Sequence, residues 1–485
     1  MARAVAALLV LALALAACGG GDPEGPAATT REGTLADRDG DGFLSPAPGE
    51  PPRDRTELLG GAPAPRRGAT LATFAQLTDA HVRDEESPAR APFLDRLGPP
   101  YASAFRPQEA LSPQVLAAAV RAVDRLGPQA VAVTGDLVDS AQANEVEQAL
   151  AILGGGRVRP GSGRRGYDGV QGAGNPDPLF YRPDLDAPRH PGILDAAQRA
   201  FDAPGLAAPW YPALGNHDAL VQGEAVPTPA IEEVATGGRM LTALDPGYRP
   251  DPSADPAAAV DQLLASRTPG RSQAVPADPE RRHLAPAALI ARLQRGRPDV
   301  GSAGGRLDYT FDVGRHLRAI VLDTVDRAGG SGGVVTPAQV AWLGAAMAAA
   351  GDRYVVVLAH NPLQSSEGGA AALAALDAAP RVVAVVTGHT HRNAITPRRR
   401  AGGAGGYRLI GTSSLADFPQ QARFFRLVAT AGGGVALETT MVDHDGRGLA
   451  GVARELAYLD AQGGRPQGFA GRPGDRNARL YLPAP

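Results

Sequence analysis

Five short polar motifs, each placed directly after an apolar stretch, constrain the fold of this chain more than any other feature. In chain order they are Asp79-Ala80-His81, Gly135-Asp136, Gly215-Asn216-His217-Asp218, His360 and Gly388-His389-Thr390-His391. The chain contains nine histidines, and five of them lie in these motifs. Carboxylate, amide and imidazole groups are the ligands that divalent cations take in hydrolytic centres. The motifs therefore predict a fold that gathers several turns of the chain around metal ions.

The apolar stretches before the motifs have the composition of buried strands. They cover residues 72–77, 130–134, 210–214, 354–359 and 382–387. Helical patterns at 112–126 and 143–153 separate the first strands, and Ser112-Pro113 is a typical helix start. Strands that alternate with helices indicate an α/β core whose active residues lie beyond the carboxyl ends of the strands.

The second half of the chain is predicted to add a second sheet. Its further strands are rich in β-branched and apolar residues, which suits a sheet packed on the first one. The remaining predicted elements are helices at 193–201 and 337–349 and strands at 307–312, 317–324, 407–413, 424–429 and 435–442.

Length and charge exclude some classes of protein. The chain has 485 residues, of which 44% are hydrophobic, so it can bury a large core. Its net charge of −3 provides no basic excess, and we expect no nucleic-acid binding. The single cysteine cannot form an intrachain disulfide, so packing and metal binding must provide the stability.

The N-terminus has the pattern of a secretory signal. Arg3 supplies the charge, residues 4–14 form an apolar stretch too short to span a bilayer, and Leu15-Ala16-Ala17-Cys18 resembles the lipobox of bacterial lipoproteins. We therefore expect a signal peptide at 1–17 and a chain that is exported and lipid-anchored through Cys18 to the outer face of a bacterial membrane. The alternative is an ordinary cleaved signal beside an incidental cysteine.

Composition also suggests the domain boundaries. Residues 18–65 are rich in Gly, Pro and charge and are predicted to be a tether and lead-in segment. We place the catalytic domain at 66–445 and a C-terminal extension at 446–485. Two long insertions are expected within the domain, near 154–191 and 219–305, because the periodic patterns lapse there.

One acidic segment of the tether matches the start of an EF-hand loop. It reads Asp37-Arg38-Asp39-Gly40-Asp41-Gly42, but Pro48 stands at the twelfth position, where a calcium loop needs a bidentate glutamate. Calcium binding and a solvated acidic turn are both open, and the lack of flanking helical patterns favours the turn.

In this order, the motifs resemble those of the calcineurin-like metallophosphoesterase superfamily over residues 70–445. Three further stretches, at 78–90, 103–109 and 417–421, resemble a bacterial, largely actinobacterial, subfamily of unassigned substrate. The resemblance implies a four-layer α/β/β/α sandwich, in which two mixed sheets are flanked by helices and interrupted by the two insertions.

The resemblance also implies roles for the motif residues. One metal ion would be held by Asp79, His81 and His391, and the other by Asn216, His360 and His389. Asp136 would bridge the two ions. His217 would be a proton donor near the leaving-group oxygen rather than a ligand, with Asp218 orienting its ring. Apart from the resemblance, position in the chain identifies three further residues that follow active-site motifs or strand ends and are expected at the mouth of the site. They are either supporting residues or substrate contacts: Asn144, Asn393 and Asp417.

The implied reaction is hydrolysis of a phosphate ester by a hydroxide that bridges two divalent ions. Histidine is well suited to protonate the leaving alkoxide near neutral pH. The ligand set contains no thiolate, so manganese, iron and zinc all remain open.

We therefore expect an extracytoplasmic phosphoesterase whose partner is a phosphoester small molecule or a nucleotide. The sequence leaves the choice between monoester and diester open, as well as the oligomeric state. Two alternatives use the same scaffold: a nucleotide pyrophosphatase on the same two-metal centre, and a catalytically inactive surface binding lipoprotein.

Overall fold

The computed structural model describes residues 29–98, 103–163, 166–245, 256–265, 270–400, 405–462 and 468–485. The predicted signal peptide and Cys18 lie outside these ranges.

Nineteen strands occur in the described ranges. They are β1 Gly33–Ala36, β2 Ser45–Pro48, β3 Arg53–Arg55, β4 Arg67–Leu77, β5 Ala130–Thr134, β6 Gly156–Val158, β7 Phe201–Ala203, β8 Trp210–Ala213, β9 Arg239–Leu244, β10 Gly270–Ala274, β11 Tyr309–Val313, β12 Leu317–Leu322, β13 Tyr354–Ala359, β14 Val382–Thr387, β15 Ala394–Arg399, β16 Gly406–Gly411, β17 Gln421–Thr430, β18 Val435–Asp443 and β19 Ala478–Leu482.

Ten α-helices occur in the same ranges. They are α1 Ser112–Asp124, α2 Ala143–Gly154, α3 Ile193–Ala197, α4 Pro229–Thr236, α5 Pro256–Ala265, α6 Pro286–Gln294, α7 Pro337–Ala348, α8 Gly369–Asp377, α9 Gly448–Gln462 and α10 Pro473–Arg476. None of these described helices is long and apolar enough to cross a bilayer.

Two mixed sheets form the centre of the molecule. The first has the strand order β3-β19-β18-β17-β4-β5-β8, in which β4, β5 and β8 run parallel. The second has the order β11-β12-β13-β14-β16-β15, in which β12, β13, β14 and β16 run parallel. The sheets contact each other through pairs such as β4 with β11 and β5 with β13.

Helices cover the outer faces of both sheets. Helix α1 packs on β17 and β18 and also contacts α2 and α9, whereas α7 packs on β12 and beside α8. The prediction of a four-layer α/β/β/α sandwich with mixed central sheets is confirmed. The strands β5, β13 and β14 begin and end at the predicted residues.

One predicted element is wrong in part. The helix expected at 193–201 ends at Ala197, and Phe201–Ala203 forms β7, which pairs antiparallel with β6. Within β7, Asp202 is exposed and Ala203 is buried, which is the alternation of a strand. The following Pro204-Gly205 prevents a helix from continuing.

The insertions form a small core of their own. Elements α4, β9, α5, β10 and α6 all lie between residues 219 and 305. Apolar side chains of α4, β9 and α5, including Met240 and Val260, pack with Val170 and Phe180 of the first insertion and with Phe93, in a cluster separate from the main core. Helix α6 instead packs into the main core. The two insertions thus pack together against the segment that follows the first motif.

Residues outside the predicted catalytic domain also enter the first sheet. Strand β19, from the predicted C-terminal extension, pairs with β18 on one side and with β3, from the lead-in segment, on the other. In the acidic turn near β1, three carboxylates, of Asp37, Asp39 and Asp41, come within 4.8 Å of one another. The Asp37 carboxylate accepts hydrogen bonds from the N–H groups of Gly40 and Gly42.

Candidate metal centre

The polar motifs meet where parallel strands of the two sheets end. Strands β4, β5 and β8 are neighbours in the first sheet and carry the first three motifs, while β13 and β14 are neighbours in the second sheet and carry the last two. Gln76 links the sheets beneath the centre, because its Nε2 donates to Thr134 Oγ1 at 2.8 Å and to the Thr387 carbonyl at 3.2 Å. The site is therefore built across the interface between the sheets.

One cluster of side chains brings four candidate ligands together. Asp79, His81, Asp136 and His391 are all buried, and their ligand atoms lie within 4.8 Å of one another. His391 Nε2 is 3.3 Å from Asp79 Oδ1 and 3.3 Å from His81 Nε2. Two imidazole nitrogens and two carboxylates that converge in this way have the composition of a site for a divalent cation.

A second cluster shares Asp136 with the first one. It contains His360 and His389, and His360 Nε2 lies 3.1 Å from Asp136 Oδ2. His360 Nε2 also lies 3.1 Å from Asn216 Oδ1, and the amide nitrogen of Asn216 donates to the Gly223 carbonyl at 3.0 Å. That hydrogen bond turns the amide oxygen of Asn216 toward the cluster. The structure thus brings together all seven residues that were predicted as ligands.

Hydrogen bonds to the other ring nitrogen orient three of the imidazoles. His391 Nδ1 contacts Asp417 Oδ2 at 2.5 Å, His81 Nδ1 contacts Asp139 Oδ1 at 3.3 Å, and His360 Nδ1 contacts the Thr134 carbonyl at 3.0 Å. Such partners fix the ring and leave Nε2 to face a metal ion. Asp417 in turn pairs with Arg106 Nε at 2.6 Å, which places Asp417 behind the centre as a supporting residue.

The backbone of the motifs is strained. Five candidate ligands have positive φ angles, a region that non-glycine residues rarely adopt: Asp79 at 53°, His81 at 44°, Asp136 at 47°, His389 at 66° and His391 at 54°. Strain of this kind persists only where the surrounding structure enforces it, and it concentrates at functional sites. Gly135 allows the close packing, because a Cβ on it would lie 2.6 Å from His360 Nδ1.

The carboxylates of the centre stabilise positive charge on some of its imidazoles but not on all. Burial, with a neighbouring histidine, lowers the pKa of His81 to about 3 and that of His389 to about 4. Burial alone would raise the pKa of Asp136, yet the neighbouring His360 and His217 hold this pKa well below its usual range. Burial would lower the pKa of His360, but Asp136 raises it to about 9. Buried carboxylates that stabilise a cation in this way, together with imidazole and amide donors and no thiolate, fit two divalent metal ions.

His217 lies beside the two clusters and was not predicted as a ligand, although its ligand atom comes within 4.8 Å of those of His81 and Asp139. Its ring meets that of His81 edge to face, with centroids 4.4 Å apart. Nδ1 of His217 is 2.7 Å from the carbonyl oxygen of Asp139 and 3.7 Å from Asp139 Oδ1. Because Nδ1 is held on that side, Nε2 is the nitrogen available to a bound molecule.

The expectation that Asp218 orients the His217 ring is wrong. The Asp218 carboxylate accepts hydrogen bonds from the N–H groups of Gly215, Leu137 and Val138, at 2.8 to 3.0 Å. It therefore ties two motif loops together through their backbone N–H groups. The orienting residue is Asp139, and the spacing Gly135-Asp136-x-x-Asp139 was the signal in the sequence that could have identified it.

A pocket of about 350 Å³ opens above the clusters. Arg83, Arg90 and Arg106 line it, and the first two share the buried carboxylates Glu109 and Asp139. Sequence reasoning assigned no role to these arginines, because their carboxylate partners come from distant loops. Leu94, Val260 and Phe469 form apolar parts of the wall and come from outside the strand-end motifs.

A family profile described as calcineurin-like phosphoesterase matches residues 72–393. A comparison with curated proteins finds no match. Among solved structures, a dimetal phosphatase from Danio rerio is similar at 12% identity and a TM-score of 0.41, over 78% of this chain and 100% of that one. PhoD is similar at 12% identity and a TM-score of 0.35, over 82% of this chain and 68% of that one. A purple acid phosphatase from yellow lupin seeds is similar at 13% identity and a TM-score of 0.33, over 78% of this chain and 52% of that one.

Proposed function

Since the chain belongs to the calcineurin-like phosphoesterase family of dinuclear metal-dependent hydrolases, we propose that it hydrolyses a small phosphate monoester outside the cytoplasm. The observation that carries this proposal is the position of Asp136, which belongs to both clusters of candidate ligands. Asp136 Oδ2 lies 3.1 Å from His360 Nε2 and 3.7 Å from His81 Nε2, so this carboxylate is placed to be shared by two neighbouring ions.

The assignment of ligands follows the two clusters. Asp79, His81 and His391 would hold one ion, with Asp136 as the shared ligand. Asn216, His360 and His389 would hold the other ion. Bound at these positions, two divalent ions would activate a water molecule and neutralise the charge of the phosphoryl oxygens.

His217 has the position of a general acid in this reaction. Its Nδ1–H donates to the Asp139 carbonyl, so Nε2 is the ring nitrogen that can carry the proton to be transferred. Nε2 can then give its proton to the alkoxide that leaves. The side chain is 21% exposed, so the ring can exchange the proton with solvent before the next turnover.

The walls of the pocket favour a monoester over a diester. Leu94 and Val260 from the core of the insertions, and Phe469 from the C-terminal region, stand around the clusters and limit the space. A diester would need room for two alcohol groups on the same phosphorus atom.

The extracytoplasmic location rests on the sequence of residues 1–18. The lipobox-like Leu15-Ala16-Ala17-Cys18 supports export and anchoring at the outer face of a membrane. A hydrolase placed there would act on phosphate esters that arrive from outside the cell.

The test of the proposed function is metal analysis coupled to a substrate panel. Protein loaded in turn with manganese, iron or zinc is assayed on phosphomonoesters, phosphodiesters and nucleotide anhydrides. We expect about two metal ions per chain and the highest kcat/KM on a monoester. A higher value on anhydrides would favour the pyrophosphatase alternative, and metal binding without any turnover would favour the binding protein.

A further inference from the structure

A second cavity adjoins the metal centre. It has a volume of about 400 Å³, and Thr390 and Phe469 line both this cavity and the pocket above the clusters. Thr390 stands between the candidate ligands His389 and His391 in sequence. The two spaces are thus separated by no more than the side chains of a metal-site loop and one aromatic ring. We call the second cavity the side groove.

The floor of the side groove is one face of the second sheet. Val385 of β14 pairs with Leu409 of β16, which pairs with Thr396 of β15, so the three lie in one row across the strands. The next row on the same face is Thr387, Gly411 and Ala394, because side chains alternate along a strand. Gly411, at the centre of that row, carries no side chain, and a Cβ on it would lie 3.1 Å from the Arg392 carbonyl oxygen and 3.7 Å from Thr390 Oγ1.

The wall of the side groove is aromatic and firmly held. The ring of Phe469 lies 6.0 Å from that of His391, centroid to centroid. The backbone carbonyl of Phe469 accepts a hydrogen bond from the Asn393 N–H at 2.8 Å. The Asn393 side chain is itself fixed, since its oxygen accepts from the Ser413 N–H and from Arg423. Phe469 is therefore anchored beside the metal centre.

The side groove offers apolar surface inside and polar groups at its rim. Leu409 and the flat ring of Phe469 supply apolar contacts above the buried Val385, while Thr396, Thr390 and Gln364 supply hydroxyl and amide groups. A nucleobase has the complementary form, with apolar faces and hydrogen-bonding edges, and aromatic side chains bind bases by stacking. Ligand pockets of this size take molecules of such dimensions.

We propose that the side groove binds the nucleoside part of a nucleoside monophosphate whose phosphate lies at the metal centre. This inference rests on the proposed function and names the alcohol that the enzyme releases. Phe469 and the apolar floor hold the base, the ribose passes Thr390, and the phosphate reaches the clusters. Phe469 and Thr396 are then residues that determine specificity.

Three variants test the proposal on the full chain. Phe469→Ala removes the stacking ring, and Thr396→Phe fills the groove from its exposed rim. Thr310→Phe is the matched control, because Thr310 lies on β11 at the opposite edge of the same sheet. Adenosine 5′-monophosphate, glucose 6-phosphate and glycerol 1-phosphate are the substrates, and adenosine binding to metal-free protein is measured by calorimetry.

We expect the wild-type protein to prefer adenosine 5′-monophosphate. In Phe469→Ala and Thr396→Phe, the ratio of its kcat/KM to that of glycerol 1-phosphate should fall about tenfold or more, through KM, and adenosine binding should weaken equally. Thr310→Phe should change neither. A preference for glucose 6-phosphate, or equal losses on all substrates, would overturn the proposal. If no ester is hydrolysed with any metal, the proposed function fails, while adenosine binding still tests the side groove.

Discussion

Nδ1 of His217 lies 2.7 Å from the carbonyl oxygen of Asp139, a residue 78 positions earlier in the chain, rather than beside the carboxylate of its neighbour Asp218. Two adjacent residues of one motif thus have separate tasks. His217 faces the pocket, and Asp218 fastens the loops beneath it. This separation makes the two side chains distinguishable by mutation.

Replacing His217 by alanine should slow the reaction without releasing metal. We expect kcat for an alkyl phosphate to fall about 10²- to 10⁴-fold, the usual contribution of a general acid. The fall should be much smaller for p-nitrophenyl phosphate, because its leaving group needs no proton. Metal content is measured by mass spectrometry on the same samples. A loss of metal in this variant would show that His217 is a ligand.

Replacing Asp218 by alanine should act on stability. Three buried N–H groups would lose their acceptor, so we expect the free energy of unfolding to fall by roughly 2–5 kcal/mol. Denaturant titration measures the change. Asp218→Asn should recover part of the stability, because the amide oxygen can still accept hydrogen bonds. An Asp218→Ala protein of native stability, with the kinetics of His217→Ala, would restore the role in ring orientation that the geometry excludes.

Replacing Asp136 by asparagine should remove metal from both positions at once. The amide has nearly the same shape but carries no charge, so it cannot serve as the shared carboxylate. We expect metal content to fall well below that of the wild type and turnover to become undetectable. Asp195→Asn, at an exposed position of α3, is the control for the loss of one carboxylate. Two ions per chain in the Asp136→Asn variant would contradict the shared-ligand geometry.

Replacing Gly223 by alanine should disturb His217 and Asn216 together. A Cβ at this position would collide with the His217 ring and would lie 2.5 Å from Asn216 Nδ2. Gly192 has the same φ of 73°, but a Cβ on it would meet nothing within 4 Å. Gly192→Ala therefore carries the same backbone strain without the collision. We expect kcat to fall at least tenfold more in Gly223→Ala than in Gly192→Ala, and equal effects would attribute the loss to strain alone.

Replacing Cys18 by serine should release the protein from membranes. Serine cannot receive the thioether-linked lipid on which the proposed anchor depends. Fractionation of expressing cells followed by detergent phase separation measures the change. Continued association of the serine variant with the membrane fraction would count against lipidation at this residue.

The strand ends and the candidate ligands could be predicted because both signals are local. An apolar run such as 354–359 predicts a buried strand, and the residue after it lies where the strands of the sheet end. Partners across the fold carry no local signal: Asp417 meets His391 and Arg106, and Arg106 lies 311 positions away from it. The sequence also could not predict that the two insertions share a core, since no periodic pattern in either one indicates that they pack together.

The role of Asp218 was misassigned for a related reason. Sequence adjacency suggested that Asp218 would contact its neighbour, yet consecutive side chains on a tight turn point in different directions. Only the positions of the Gly215, Leu137 and Val138 N–H groups reveal where the carboxylate is needed. The Gly-Asp-x-x-Asp spacing that contains Asp139 is visible in the sequence. The role of Asp139, however, depends on its contact with His217, which lies 78 residues later in the chain.

The placement of the centre across two sheets gives distant residues control over the separation of the metal ions. Asp79 and Asp136 move with the first sheet, whereas His360 and His391 move with the second. Any sliding of one sheet on the other would change the distances within both clusters. Gln76 links the two sheets by hydrogen bonds beneath the centre. It therefore helps to fix the distance between the two metal positions without being a ligand.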